Sequence, residues 1–326
     1  MASKYIALPN GVSEDTFDAA INEFRAALGE ASVLTSAAQL TPYIKTMLPV
    51  PDAEHAPSAA LLATTVEQIQ KIVGICNRYK VPVWTISTGK NLGYGSAAPA
   101  ERGQVVLDLK LMNRILEVDK DLAYALVEPG VTYKQLYDYI AERKLGLWLS
   151  FPAPSAIAGP VGNTLDRGVG YTPYGEHFMF SCGMEVVLAN GEVLRTGMGS
   201  MPNSNTWQVF KWGYGPYLDG IFTQSNYGIV TKLGFWLMPA PPAFKPFVIQ
   251  YQNEDDIVEI VETIRPLRIS GVIPNAVVIA HALYEAPVKA RRSDYVKGPG
   301  SIPDEAVRQI TKDHNLGIWN VYAALY

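Results

Sequence analysis

Cysteine and histidine are scarce in this chain, which has two cysteines and four histidines among 326 residues. Cys76 and Cys182 lie far apart without C-x-x-C spacing, so we expect small buried residues and not a disulfide framework or a metal site. No pair of histidines has the H-x-x-x-H or H-E-x-x-H spacing of a zinc enzyme. The sequence therefore argues against a metal centre and indicates a reducing compartment.

A surplus of charge and a long apolar run are also missing. Charged residues make up 18% of the chain and the formal net charge is -4, which gives no field to attract nucleic acid or anionic lipid. No segment approaches the roughly 18 consecutive apolar residues of a membrane span, and residues 1–9 lack the pattern of a leader peptide. We therefore expect no nucleic-acid or membrane partner and a cytoplasmic location, with a periplasmic one left open.

Glycine, by contrast, is concentrated in two stretches beside predicted strands. The first runs from Thr85 to Pro99 and the second from Gly159 to Gly175. Dense glycine leaves backbone N–H groups free and lets another molecule approach the main chain closely. A phosphate-bearing cofactor is the natural candidate, although a wide strand connection would also explain a single glycine loop.

Neither stretch carries a common nucleotide-binding fingerprint. Gly168 and Gly170 are followed by Pro173 where G-x-G-x-x-G needs a third glycine, and no Walker loop is present. The glycines of the second stretch alternate with Tyr171 and Pro173, which is typical of main chain packed on a flat, partly apolar ligand. A flavin meets both the phosphate and the flat-ligand requirement.

Capping residues and helical spacing predict the helices, and apolar runs bounded by turns predict the strands. The predicted helices are 13–28, 65–79, one from Thr132, 255–264 and one from about Pro303; the predicted strands are 81–85, 105–109, 124–127, 147–151, 184–188, 193–196, 228–238 and 316–326. Asn190-Gly191 predicts an antiparallel hairpin. The fold class is therefore α+β, with mixed sheets, and not a doubly wound sheet.

Four segments, taken together, resemble a known family. They are Thr85–Pro99, Glu128–Tyr133, Gly162–His177 and Asn226–Val230, and they are similar to the vanillyl-alcohol oxidase / p-cresol methylhydroxylase flavoprotein family. Three further segments lean towards its 4-cresol dehydrogenase branch, namely Ser155–Pro160, Asn205–Gln208 and Phe210–Pro216. The resemblance runs from about residue 57 to residue 326.

The resemblance implies a domain order and a cofactor, FAD. A PCMH-type FAD-binding domain, of mixed sheets with flanking helices, would cover 57–240. An N-terminal arm would cover 1–56, and a partial α+β substrate or cap domain would cover 241–326. The prolines at 239, 241, 242 and 246 favour the second boundary, because they interrupt the strand pattern there.

The resemblance also implies which residues hold FAD. The first loop would bind the pyrophosphate, the segment 155–171 would line the isoalloxazine, and the strand at 228–230 would pass the adenine end. The implied residues are Thr88, Gly89, Lys90, Asn91, Leu92, Gly93, Gly95, Ser155, Gly159, Gly162, Asn163, Gly168, Gly170, Tyr171, Gly228, Ile229 and Val230. For Lys90, a solvated loop lysine is the alternative.

Tyr94 is the one catalytic residue that the resemblance implies, as a hydrogen-bond donor to a phenolate oxygen; a tyrosine that only packs its ring is the alternative. The implied reaction oxidises 4-alkylphenols such as 4-cresol. Loss of a benzylic hydride would give a quinone methide, and water would then add to form 4-hydroxybenzyl alcohol, which is oxidised on to the aldehyde. The implied partners are the phenol, a c-type cytochrome as electron acceptor, and a second flavoprotein subunit in a homodimer.

Two departures from the family pattern bear on these expectations. Ala153 aligns with an aspartate of vanillyl-alcohol oxidase, and alanine cannot act as acid or base, which favours the 4-cresol dehydrogenase branch. The family's flavin-attachment residue, its second tyrosine and its phenolate-pairing arginine belong to a part beyond Tyr326, so we expect FAD without a covalent bond in this chain. The alternatives are a vanillyl-alcohol or eugenol type of oxidase using dioxygen, a flavoenzyme for a hydroxy acid or sugar alcohol, and a catalytically incomplete flavin-binding fragment.

Three polar residues of the second stretch have roles that the sequence leaves open. Asp166 and Arg167 are adjacent and opposite in charge, which favours a structural ion pair on a turn over a catalytic role. His177 either contacts the flavin environment or is a hydrogen-bonded structural histidine.

Overall fold

Helices and strands interleave along the chain in the computed structural model, which describes residues 3–93, 95–152, 155–213 and 215–326. The helices are α1 Glu14–Leu28, α2 Ala37–Leu40, α3 Val66–Tyr79, α4 Tyr133–Glu142, α5 Pro160–Leu165, α6 Asp256–Ile269, α7 Ala282–Glu285 and α8 Asp304–His314. The strands are β1 Val33–Leu34, β2 Ala59–Leu62, β3 Val83–Ile86, β4 Val105–Asp108, β5 Ile115–Asp119, β6 Tyr124–Val127, β7 Leu147–Trp148, β8 Ser181–Leu188, β9 Val193–Arg195, β10 Gly228–Trp236, β11 Met238–Pro239, β12 Lys245–Tyr251, β13 Val278–His281 and β14 Trp319–Leu325.

The chain divides into two compact units. The first comprises Met1–Gly170 and Glu176–Pro239, and the second comprises Tyr171–Gly175 and Ala240–Tyr326. The N-terminal helix α1 belongs to the first unit, where Phe17 is fully buried in the same core as α3. The functional division into arm, FAD-binding domain and cap domain stays a prediction.

Two sheets build the first unit. In the four-stranded sheet, of order β1-β2-β4-β3, the last three strands are parallel and β1 is antiparallel to β2. The five-stranded sheet, of order β5-β6-β10-β8-β9, is antiparallel throughout. This combination confirms the mixed α+β class, and the predicted Asn190-Gly191 turn joins β8 to β9.

Side chains that alternate along the strands divide the first unit into layers. On β4, Val105 and Leu107 face the largest core, which also receives α1, α3 and Ile229 of β10. Val106 faces a smaller core on the other side of its sheet. Val230, the neighbour of Ile229, faces a third core that contains α4 and α5. The core between the two sheets therefore holds them together.

Local capping signals place the helix starts. The Ser13 hydroxyl accepts a hydrogen bond from the Thr16 backbone N–H at 3.2 Å and caps α1, which ends at Gly29. Thr65 caps α3 through the N–H of Gln68, also at 3.2 Å. The spacing of Thr65 and Gln68 in the sequence predicts a capping box, but the Gln68 side chain accepts from the N–H of Thr64 and not of Thr65, so the box is shifted by one residue.

Several element ends differ from the prediction, and β3, β7 and α6 are examples. β3 begins at Val83, two residues late, because the ladder with β4 begins at Val83. β7 stops after Trp148, because its partner β11 is only two residues long. α6 continues to Ile269 with Pro266 inside it, where the apolar spacing predicts an end near residue 264.

A three-stranded antiparallel sheet, of order β12-β14-β13, forms the centre of the second unit. Its central strand β14 confirms the predicted C-terminal strand. Asn320 is fully buried on β14, and its side chain accepts from the Gly317 N–H at 2.9 Å. The outer strands β12 and β13 are missing from the prediction; β12, for example, is mostly exposed and lacks a long apolar run.

Both cysteines are buried and free, as the sequence predicts. Among the residues that the structure describes, no helix has the length and apolar character needed to cross a membrane.

Candidate functional site

The first glycine loop begins where the parallel strand β3 ends. Gly89 has a φ of +65°, and a Cβ there would lie 2.8 Å from the Ala97 Cβ, so only glycine fits between the outgoing and returning chain. The return is closed by the Ser96 N–H, which donates to the Asn91 carbonyl at 2.6 Å. Tyr94, the predicted catalytic residue, lies outside the described residues.

Backbone donors are available along the same loop. The N–H groups of residues 88–90, 92 and 93 donate no hydrogen bond to any described residue, although most backbone donors in a folded protein are paired. Asn91 instead pairs with Ser96 in an isolated antiparallel bridge. The cationic side chain of Lys90 is exposed beside the free N–H groups. A run of free N–H groups with a nearby cation suits the oxygens of a phosphate group.

The second loop follows the short helix α5, which ends in a Schellman motif. The N–H of Arg167 donates to the Thr164 carbonyl at 3.0 Å, and that of Gly168 donates to the Asn163 carbonyl at 2.8 Å. Arg167 takes the left-handed position with a φ of +53°. Residue 168 must be glycine because a Cβ there would lie 2.3 Å from the Asn163 side-chain nitrogen.

The two glycine-rich stretches, 85–99 and 159–175, touch each other directly. A Cβ on Gly159 would lie 2.5 Å from the Ser87 hydroxyl oxygen, and one on Gly162 would lie 3.0 Å from the Ser87 Cβ. The Ser87 oxygen is buried without a hydrogen-bond partner among the described residues. Further along, Asn91 Nδ2 donates to Asp166 Oδ2 at 2.5 Å. The fold therefore brings together two segments about 75 residues apart.

The predicted Asp166–Arg167 ion pair is wrong. Within the described residues, the Asp166 carboxylate accepts from Asn91, whereas Arg167 Nε donates to Thr223 Oγ1 at 3.0 Å. The Arg167 guanidinium also lies 5.0 Å from the centre of the Phe178 ring. Arg167 has a left-handed backbone conformation at this point. The Asp166 carboxylate is hydrogen-bonded to the first loop, whereas the Arg167 guanidinium is hydrogen-bonded to the segment that contains Thr223.

A buried histidine lies beneath the turn 168–170. His177 is only 7% exposed, and its Nδ1 is hydrogen-bonded to Asn163 Oδ1 while its Nε2 lies 3.1 Å from Ser150 Oγ. A Cβ on Gly170 would lie 2.3 Å from that serine oxygen and 2.6 Å from His177 Nε2. Burial lowers the His177 pKa to about 4, so the imidazole is neutral at physiological pH. His177 is therefore a hydrogen-bonded histidine, and its contact with the flavin environment stays a prediction.

The other predicted residues fall in three places. The Ser155 hydroxyl accepts from the Ile157 N–H at 3.2 Å, and Tyr171 belongs to the second unit. On β10, a Cβ on Gly228 would lie 2.4 Å from a Val186 methyl group, and both following side chains are buried in cores. Because these side chains are buried, only the backbone of 228–230 is available for the predicted contact with the adenine end of FAD, and that contact stays a prediction.

Ser87 and Ser150 are absent from the predicted set. Ser87 had a local signal, since it is the residue that joins the buried strand to the glycine loop. Ser150 had none, because its contact with His177 spans 27 residues of chain.

Comparison with known proteins adds to this geometry. Residues 57–197 match the family model described as an FAD binding domain. The flavoprotein subunit of 4-cresol dehydrogenase (hydroxylating) from Pseudomonas putida is 64% identical over 98% of this chain, and the match covers 61% of that protein. The chain belongs to the vanillyl-alcohol oxidase / p-cresol methylhydroxylase flavoprotein family. FAD is the cofactor of this family's domain, as the sequence predicts.

Two solved structures of the same family have the same fold. A crystal structure of p-cresol methylhydroxylase with substrate bound has a TM-score of 0.96 and 63% identity, and covers 98% of this chain and 62% of its own. A 4-ethylphenol oxidase from Gulosibacter chungangensis, in complex with isoeugenol, has a TM-score of 0.93 and 41% identity, and covers 98% and 61%. The chain thus spans less than two thirds of each relative.

The described residues fit the FAD of this flavoprotein family. Within the described residues, the N–H groups of 88–90, 92 and 93 have no protein acceptor and suit a pyrophosphate. When bound, FAD supplies the capacity to accept a hydride. We expect the first loop to hold its phosphates and the second loop to contact its ring system.

Replacing Gly159 by alanine should weaken FAD binding at least tenfold, because the new Cβ forces Ser87 and the first loop away from the second. The added substitution Ser87→Ala removes the oxygen that clashes and should restore part of the affinity. Fluorescence titration of the apo-protein with FAD measures both effects. Gly74→Ala is the control, since its Cβ meets nothing within 4 Å; an unchanged affinity in Gly159→Ala would contradict the predicted contact.

Acid should destabilise the protein through His177. The folded state binds this proton only near pH 4, whereas the unfolded chain binds it near pH 6.5, so unfolding takes up a proton between these values and stability falls as pH falls. Through His177 alone, the free energy of unfolding should fall by about 2 kcal/mol between pH 7 and about pH 5. Urea unfolding of the wild type and of His177→Asn at both pH values isolates it, because asparagine does not titrate. An equal pH dependence in the two proteins would show that His177 is not the group responsible.

Proposed function

We propose that the protein of this chain oxidises 4-alkylphenols, such as 4-cresol, to the 4-hydroxybenzyl alcohol and then to the aldehyde, with FAD as the cofactor. The observation that carries this proposal is the 64% identity, over 98% of the chain, to the flavoprotein subunit of 4-cresol dehydrogenase. The TM-score of 0.96 to p-cresol methylhydroxylase supports it. The activity is proposed for the whole protein, since the chain spans 61% of that relative.

The chemistry depends on the charge of the phenol oxygen. A phenolate pushes electron density towards the para carbon, so that a hydride leaves the benzylic position and a neutral quinone methide forms. Water then adds to the exocyclic carbon, and transfer of a proton restores the phenol as the benzyl alcohol. The protein's main task is to stabilise the phenolate, and we assign a hydrogen bond to its oxygen to Tyr94.

The electron acceptor has two candidates. A c-type cytochrome is the one that the resemblance implies, and the name of the Pseudomonas putida relative describes one subunit of an enzyme. Dioxygen is the second, favoured by the 41% identity to a 4-ethylphenol oxidase. We propose the cytochrome, because the identity to the dehydrogenase subunit is higher, and we propose a homodimer of the flavin-binding chain.

The full-length flavoprotein should lose its flavin absorbance near 450 nm when 4-cresol is added without oxygen, since the substrate donates two electrons. Anaerobic titration in a spectrophotometer measures this. Cytochrome c, added next, should restore the colour faster than air does. Lactate and glucose serve as control substrates; bleaching by either of them but not by any 4-alkylphenol would overturn the proposal.

Tyr94→Phe should slow flavin reduction by 4-cresol by about 100-fold, because a donor to a developing charge in an active site contributes about 2.7–4 kcal/mol. FAD affinity should stay unchanged. Stopped-flow absorbance measures the rate, and Tyr137→Phe, at an exposed position of α4, is the matched control. A wild-type rate in Tyr94→Phe would leave the tyrosine with a packing role only.

A further inference from the structure

The buried histidine has a hydrogen-bond pattern that determines its protonation state. Nδ1 of His177 contacts Asn163 Oδ1, an amide oxygen that can only accept. Nδ1 must therefore carry the proton. In the neutral ring Nε2 is then an acceptor, and the Ser150 hydroxyl, 3.1 Å away, donates to it. The order of donors runs from Ser150 through His177 to Asn163.

This order follows from the observed orientation of the Asn163 amide, in which Oδ1 faces His177. With Oδ1 turned to His177, Nδ2 is left with its two N–H donors. Nδ2 donates to no described residue, and it lies so close to Gly168 that a Cβ there would be only 2.3 Å away. Gly168 opens the turn assigned to the flavin ring, and the amide donors therefore lie at that turn.

We propose that His177 is a positioning residue for the cofactor: it holds the Asn163 side chain in the one orientation that presents Nδ2 as a hydrogen-bond donor to FAD. With the proton on Nε2 instead, Nδ1 would accept from Asn163 Nδ2, and the amide would present its oxygen to the cofactor. An oxygen in that position would repel an acceptor atom of FAD. This inference rests on the assignment of Asn163 to the FAD site under the proposed function.

Two substitutions separate positioning from space filling. The side-chain nitrogen of asparagine can take the place of histidine Nδ1, so His177→Asn retains a donor to Asn163. The amide of glutamine reaches instead to the place of Nε2, so His177→Gln fills more volume but retains only the Ser150 contact. We expect His177→Asn to bind FAD within about threefold of the wild type and His177→Gln to bind it about tenfold more weakly, the loss of about one hydrogen bond.

Asn163→Ala tests whether His177 acts through the amide. We expect it to weaken FAD binding about tenfold, and His177→Gln added to it should cause no further loss, as in a double-mutant cycle with complete coupling. FAD affinity is measured by fluorescence titration of each apo-protein. The visible circular dichroism of the bound flavin gives a second readout, which should change in His177→Gln but not in His177→Asn.

The outcomes distinguish this inference from the proposed function. Binding in the order wild type, then His177→Asn, then His177→Gln, with no further loss in the double variant, supports positioning. Equal affinity of the wild type and His177→Gln, a weaker His177→Asn than His177→Gln, or additive losses in the double variant overturn it, even if 4-cresol bleaches the flavin. Thermal unfolding of each apo-protein shows whether a loss of affinity comes from a loss of folding, which would also count against positioning. A wild type that binds FAD but is not reduced by phenols would overturn the proposed function alone.

Discussion

The contact between the two glycine loops is the constraint on which the candidate site depends. Ser87 packs closely against Gly159 and Gly162: a Cβ on Gly159 would lie 2.5 Å from its hydroxyl oxygen, and one on Gly162 would lie 3.0 Å from its Cβ. Protein interiors are packed too densely to absorb an added methyl group without movement of the backbone. The spacing between the segments that we assign to the phosphates and to the ring of FAD is therefore set by the absence of side chains at Gly159 and Gly162.

Hydrogen bonds between polar side chains also join the segments of the candidate site. The Asn91–Asp166 bond ties the first loop to the end of α5, and Arg167 ties the following turn to Thr223. His177 holds the same turn from below. Each of these bonds crosses many residues of chain, so the site acquires its shape only when the sheets have packed. Among the described residues, the backbone donors at 88–90, 92 and 93 have no protein acceptor, and we assign them to the cofactor.

Prediction from the sequence succeeded where the signal is local. The cap at Ser13, the hairpin at Asn190-Gly191 and the strand 124–127 all follow from a few neighbouring residues, and the structure contains each of them. It failed where a distant segment of the chain limits the length of an element. Strand β7 is short because its pairing partner, β11, is only two residues long. The Asp166–Arg167 pair failed for a related reason, because distant residues offered each charge another partner.

The sequence by itself determined the mixed α+β class, the two glycine loops and the flavoprotein family. Apolar periodicity and capping residues predict the fold class, and contiguous motifs indicate the loops and the family. Only the tertiary structure decided that the loops touch at Ser87, that Asp166 bonds to Asn91, and that His177 links Ser150 to Asn163. The physical reason is the distance along the chain over which each kind of interaction acts. Backbone preference acts over a few residues, whereas the partners of a buried polar group are chosen by the packing of sheets and helices that are distant in the chain.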